Sequence, residues 1–320
     1  MKRLLPLIAV LVLAVPAGAR SDGASWFALV TAETENQVIA VSIPSGHVVR
    51  RFHLPADPEN VDARPGVRYG VVVSTRGRAV TLIDTRRVRV SRILHHFTAP
   101  HIAAITPDGR YAYVTDDGSG KLHVIGLRHR RLVRRVSIGI GAHHIAISPD
   151  GRRTWVALGE RAHEIVVLNT ARPVRPRLLT RFSPRGTAHD LAFTPSGARV
   201  WVTSDTSSRV GVYDGRTHRF LKTFSGGAPP QHVAFLPFFP HGRAFVTSGY
   251  AGTMQVRNPR TGRFLRTVRT GYGSFNLGVG DGFVATSSLL GGTLTAFGDG
   301  RRLGQWHLAP AARDAAMASR

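Results

Sequence analysis

The feature that most constrains this chain is a unit of sequence that returns every forty-odd residues. From Gly141 to Phe182 it reads GAHHIAISPDGRRTWVALGERAHEIVVLNTARPVRPRLLTRF. The stretches before and after it align, with Pro107, Pro149 and Pro195 in register and Pro65 and Pro237 holding the same place in weaker copies. Successive separations are 42, 42, 46 and 42 residues. A period of about 40–45 residues carrying four strands per unit is that of a β-propeller. Within each unit a strand such as His-x-Ile-Ala-Ile-Ser runs into a Pro-Asp-Gly turn. Three further runs rich in Val, Ile, Phe, Tyr and Trp follow, bounded by Gly, Pro and Asp. We letter these strands a to d. After the first 19 residues no segment has a helical period.

Strand c occurs seven times, at Gln37–Ile43, Ala79–Asp84, Lys121–Leu127, Glu164–Asn169, Arg209–Asp214, Thr253–Asn258 and Thr293–Phe297. Strand a has six copies in place, because only a short polar segment precedes Trp26. The missing copy lies at the other end: Ala312–Ala318 aligns with Ala188–Thr194. The expectation is an all-β, seven-bladed propeller of four-stranded antiparallel blades, occupying residues 20–320 as one domain. Its C-terminal strand closes the ring from inside blade one. Closure hides two sheet edges that would otherwise pair with other chains, so a monomer is expected.

Tyr113-Val114-Thr115-Asp116 with the neighbouring Thr-Pro-Asp-Gly-Arg resembles the YVTN-type β-propeller repeat, from Ser25 to the end. The resemblance implies the seven-bladed ring. It leaves activity open, because similar propellers include YncE-like periplasmic proteins, lactonase-like enzymes and the propeller domains of haem- and copper-containing reductases.

The first 19 residues read differently. Lys2 and Arg3 precede an apolar run from Leu4 to Val15, and Ala17-Gly18-Ala19 offers a signal-peptidase site. This is an export signal cleaved before Arg20, which leaves no membrane anchor and places the protein in the periplasm, at the cell surface or outside the cell. The chain has 0 Cys, which excludes thiol catalysis and Cys-ligated zinc or iron–sulfur sites. It lacks a His-Glu-x-x-His helix, a Gly-x-Ser-x-Gly elbow and a Cys-x-x-Cys-His haem site.

Antiparallel connectivity sorts the loops. The d-to-a links and b-to-c loops share one face, the top; the a-to-b and c-to-d turns share the base. Two rows of residues then start strand a around the upper mouth of the channel. One is Glu59, His101, His143, His189, Gln231, Phe275 and Arg313; the next is Asn60, Ile102, His144, Asp190, His232, Asn276 and Asp314. The second row is in phase with small residues such as Ala146, Ala192 and Gly278 two positions on, so it is expected to line the channel. The first is expected to point between blades.

A ligand at the mouth would meet Asn60, His144, Asp190, His232, Asn276 and Asp314, with His101, His143 and His189 beside them. The side chains of His144, His232, Asp190 and Asp314 suit a divalent metal ion such as zinc, copper, nickel or iron. The competing reading is that polar residues merely solvate a water-filled channel.

Formal net charge is +24, from 43 Lys+Arg against 19 Asp+Glu, and all but three of those bases are arginine. Arg128, Arg130, Arg131, Arg134 and Arg135 fall in one c–d turn and outer strand, and similar clusters recur in other units. They provide edge protection or a surface for a polyanion such as DNA or a cell-surface polymer. Three functions therefore stand open: a non-catalytic protein binding a small molecule or partner protein on the top face, a lactonase-like or metal-dependent enzyme at the mouth, and a polyanion binder at the rim.

Overall fold

The computed structural model describes residues 25–237 and 242–320; the expected export signal lies outside them. Seven four-stranded antiparallel sheets stand around a central channel. Blade one joins the C-terminal strand Ala315–Ser319, innermost, to Trp26–Ala32, Gln37–Ile43 and Val48–His53. Blades two to seven each run a to d in chain order. The sequence expectation of a seven-bladed ring closed by its last strand is met. That strand begins three residues later than the aligned Ala312.

The alternation of each b and c strand buries both faces, since each blade packs between two others. Among the described residues seven apolar clusters form, one between each pair of neighbouring blades. Trp155 and Trp201 fill the gaps on the far side of blades four and five, with rings of Phe193, Phe182, Phe224 and Phe235 edge-on within 6 Å. Toward the channel the blades converge, and Ala104, Ala146, Ala192, Ala234, Gly278 and Ala316 hold one small step of the inner strands in six blades. A Cβ on Gly278 would lie 2.3 Å from the Ala315 carbonyl oxygen, so glycine is required where blade seven meets the closing strand.

Polar side chains lace the inner strands together. Each blade's innermost strand leaves backbone N–H groups unpaired on its channel side, and burial makes them costly. Asn60 Oδ1 accepts from Ala103 N at 2.8 Å, Asp190 Oδ2 from Val233 N at 2.9 Å and Asp314 Oδ2 from Val61 N at 2.9 Å. Asp62 Oδ2 does the same for Ile105 N at 2.6 Å. Each bond crosses to the next blade.

The threonine near the end of strand b has a repeated task. In blade five His189 N donates to the Thr203 carbonyl at 2.9 Å and Asp190 N to Thr203 Oγ1 at 3.0 Å. Thr31 with Arg313 and Asp314, and Thr247 with Gln231 and His232, repeat the pair. In blade three Ile102 N uses Thr115 Oγ1 at 3.1 Å. Two residues of strand a thus face one residue of strand b, which is a β-bulge. The hydroxyl also bonds onward to the next blade, as Thr203 Oγ1 does to the Gln231 carbonyl at 2.5 Å. Thr203→Val is expected to lower stability by about 1–3 kcal/mol, because it strands buried N–H and C=O groups. Chemical denaturation measures this, and an unchanged midpoint would remove the threonine from the bulge's support.

Candidate metal centre at the channel mouth

The channel has a volume of about 990 Å³, and its lining includes Asn60, Ile102, His144, Asp190, His232, Asn276 and Asp314. The second row of sequence-predicted residues therefore lies where strand alternation puts it. No residue of the first row lines that cavity, and His143 and His189 bond to loops of the preceding blade, yet the rings of His101, His143 and His189 also lie within 6 Å of His144. The ladder of blade four slips between Ala142 and Ile145, and that of blade three between Pro100 and Ala103. Within each bulge strict alternation is lost, so consecutive side chains both reach the mouth.

Five imidazoles from four blades are thereby brought together. The His101 and His143 rings stack at 3.6 Å, and His143 lies 4.9 Å from His144. His144, His189 and His232 form a nearly equilateral triangle, with centroids 4.6, 5.0 and 5.2 Å apart. Two trios of ring nitrogens each fall within 4.8 Å of one another: His101, His143 and His144, and His144, His189 and His232. His144 belongs to both. Zinc–imidazole distances of about 2.0–2.1 Å put ligand nitrogens roughly 3–4 Å apart, so either trio closes on an ion with small ring rotations.

The outer partners are oxygen atoms, and each faces Nδ1. His101 Nδ1 lies 3.1 Å from Glu59 Oε2, His143 Nδ1 3.0 Å from Asp117 Oδ2 and His189 Nδ1 3.0 Å from the Glu160 carbonyl. Asp190 stands between two rings, with Oδ1 3.6 Å from His144 Nδ1 and Oδ2 3.4 Å from His232 Nδ1. At His143 and His189 the hydrogen-bonded acceptor favours a proton on Nδ1 and leaves Nε2 as the lone-pair donor, the arrangement metal-binding histidines use; Asp190 lies beside His144 and His232 without a hydrogen bond to either.

The carboxylates expected among the ligands take different places. Asp190 faces two imidazoles and braces Val233 instead of offering a ligand oxygen. Asp314 is fully engaged: Oδ2 accepts from Asn60 Nδ2 at 2.7 Å and from Val61 N, and Oδ1 accepts from Ala315 N at 2.8 Å. It joins neither trio. A carboxylate at this step satisfies the exposed backbone of the next blade before anything else. Asn276 donates from Nδ2 to the Arg313 carbonyl at 3.1 Å, and its buried Oδ1 has no hydrogen-bond partner. Reading single strands missed Glu59, Asp117 and the Glu160 carbonyl as outer partners, because each comes from a different loop or blade.

Burial disfavours the charged form of three of the rings. Burial, then the charges of His189 and His143, hold His144 well below its ordinary value. Burial and His232 bring His189 down to about 4. Burial lowers His101, partly offset by its bond to Glu59. Burial pulls Glu59 upward, but the His101 bond and the Arg313 charge overcome it and leave it at about 2. Arg313 also bonds Glu33 Oε2 at 2.8 Å, so a compact ion network borders the imidazoles. Burial raises Asp314 to about 6.

The histidine shifts carry a sign for stability. In the metal-free protein, His189 refuses a proton until about pH 4, whereas an unfolded histidine takes one near 6.5. The unfolded state therefore binds more protons in that window, and stability falls as pH drops from about 6.5 toward 4. His189 alone contributes a loss on the order of 3 kcal/mol. Thermal melting across this range checks it; His189→Gln is expected to flatten the decline.

No curated protein matches the chain. A family model described as the cytochrome D1 heme domain matches residues 67–176. Among solved structures, a functionally unknown protein from Desulfotomaculum acetoxidans superposes with a TM-score of 0.77 at 17% identity, covering 91% of this chain and 98% of that one. AztD from Citrobacter koseri in its apo form gives 0.72 at 10% identity, over 93% and 99%. The dihydro-heme d1 dehydrogenase NirN, in complex with DHE, gives 0.65 at 16% identity, over 89% of this chain and 64% of that one. At these identities the likeness is one of fold: the chain is a seven-bladed β-propeller similar to each of them.

Proposed function

We propose that this protein is a YVTN-type propeller that binds a first-row divalent metal ion at its upper channel mouth, through His144, His189 and His232. The observation that carries this reading is the near-equilateral triangle of those three rings. Imidazole nitrogen suits zinc, nickel or copper, and the burial that disfavours protonation of His144 and His189 favours them as ligands. Three protein ligands leave a position open toward the channel for water, a substrate or a partner's side chain. Binding should survive to lower pH than for ordinary histidines, weakening as pH falls toward about 4, where His189 titrates. The test is metal analysis of the purified protein, followed by calorimetric titration of metal-stripped protein with zinc, nickel and copper. Absence of any stoichiometric, saturable binding would reject the reading.

A second reading is favoured by one finding. The stretch matched by the cytochrome D1 heme domain contains His101, His143 and His144. A tetrapyrrole could sit over the mouth with one of these imidazoles as axial ligand. Adding haemin and recording the visible spectrum separates the two, since axial ligation shifts the main absorption band and simple metal binding has no such band.

Export belongs to the same proposal, resting on Lys2, Arg3 and the apolar run that follows. Sequencing the N-terminus of protein recovered from outside the cytoplasm tests cleavage before Arg20.

A further inference from the structure

Every outer strand carries a β-bulge at the same height, one step above its c–d turn. In blades three, four, five and seven the residue left out of the ladder is Val133, Leu179, Leu221 or Leu303. A bulge blunts a sheet edge whatever its side chain; Ser91 fills the place in blade two. Here the bulge turns aliphatic groups toward water instead. Leu179 and Leu221 are each 48% exposed, Leu178 beside them 54%, and Phe264 at the foot of the blade-six strand 48%. Most of the large apolar side chains exposed among the described residues thus gather along the lower rim.

The base beneath that rim is basic. Arg86, Arg128, Arg216 and Arg260 occupy the same position in the c–d turns of four blades, and all are exposed. The carboxylates of these turns are engaged locally: Asp84 accepts from the N–H groups of Arg86 and Arg87, and Asp214 from those of Arg216 and Thr217. In blade three, strand pairing sets Asp116 beside Lys121 at the top end and Tyr111 beside Gly126 at the base end, where Arg128 and Arg130 follow. The a–b turns add the exposed Asp108, Asp150 and Asp281 to the base and blade seven's c–d turn adds Asp299, but the arginines outnumber them; Asp108 and Asp150 accept from the N–H groups of Arg110 and Arg152, and Asp117 and Glu160 lie on the top with the imidazoles.

We propose that the base and lower rim dock on an anionic lipid bilayer. The arginines bind headgroup phosphates and the rim leucines enter the boundary between headgroups and acyl chains. Positive charge bordered by exposed aliphatic side chains is the signature of interfacial binding. Nucleic acid would gain from the arginines but not from leucine and valine, since single strands are held on aromatic platforms. Docked this way, the channel mouth faces away from the membrane. The inference is independent of any metal.

The test is flotation of the full chain, without its export signal, with vesicles of phosphatidylcholine alone or mixed with phosphatidylglycerol. Retention is expected only on the mixed vesicles and is expected to weaken as salt rises. The double variant Leu179→Ser, Leu221→Ser, with an unchanged melting curve, is expected to lose on the order of tenfold in vesicle affinity. Arg128→Gln with Arg216→Gln is expected to lose on the order of fivefold per charge. No retention on phosphatidylglycerol vesicles would overturn the proposal. So would leucine variants that bind as tightly as the parent, or duplex DNA binding that the arginine variants abolish while vesicles are not retained.

Discussion

Replacing His144 by alanine is expected to weaken zinc or nickel binding by at least about 100-fold, read by competition against a chelator of known affinity. Loss of an outer partner alone typically costs 10–100-fold, and His144 is itself the ring shared by both trios. His101→Ala serves as the comparison. His101 lies 5.9 Å from His144 and belongs to the stacked pair, so its loss is expected to change affinity only several-fold. Asp190→Asn should fall between the two, because Asp190 faces both His144 and His232 and belongs to neither trio. Melting curves keep these results interpretable, since removing a buried, desolvated imidazole is expected to leave the metal-free fold in place. Equal affinity in parent and His144→Ala would move the site elsewhere.

Deleting Arg313–Arg320 is expected to be the most damaging change to the fold. Ala315, Ala316, Met317 and Ala318 are buried, and the strand they form pairs with Trp26–Val30 over five residues. Its loss uncovers the inner edge of blade one and the packing against Phe283, Ala285 and Leu294 of blade seven. It also removes the Asp314 oxygen that holds Val61 and Asn60 of blade two. Net stabilities are about 5–15 kcal/mol, and a buried strand touching three blades exceeds what such a balance tolerates. The truncated protein is expected to be insoluble, or to melt more than about 10 °C below the parent. A soluble product with the parent's melting temperature would mean the last strand is dispensable.

The ring was legible because repetition multiplies weak signals. One Pro-Asp-Gly turn says little, but Pro107, Pro149 and Pro195 in register define a period, and the period defines the architecture. Even the displaced strand was readable, since Asp314 aligns with Asp190 and both bond the equivalent threonine of strand b. The channel-lining row followed from alternation in the same way. What alternation could not supply was the bulge. It brings His143 and His101 to the mouth, and its sequence mark is the strand-b threonine, whose hydroxyl accepts the extra N–H. Blade four lacks that mark, with Ala157 at the corresponding place, yet its ladder still slips. The roles of Asp190 and Asp314 were also beyond reach from one strand at a time. Their oxygens are consumed by backbone groups some 43 and 253 residues away.

The bulge at the head of strand a has an evolutionary consequence. Backbone bonds and a threonine hold it, so the first of its two side chains is freer of the demands of folding than the second, where Asn60, Asp190 and Asp314 brace the next blade. Each blade therefore carries one readily exchanged slot beside a bracing one, and the ring gathers these slots around a single mouth. A ligand site of new composition can arise by single substitutions in separate blades, each tolerated before the next arrives. The histidines occupy one arc of these slots, while Phe275, Arg313 and Glu59 occupy the opposite arc. A descendant of this chain could exchange imidazole for carboxylate or aromatic rings blade by blade and never disturb the wheel that holds them.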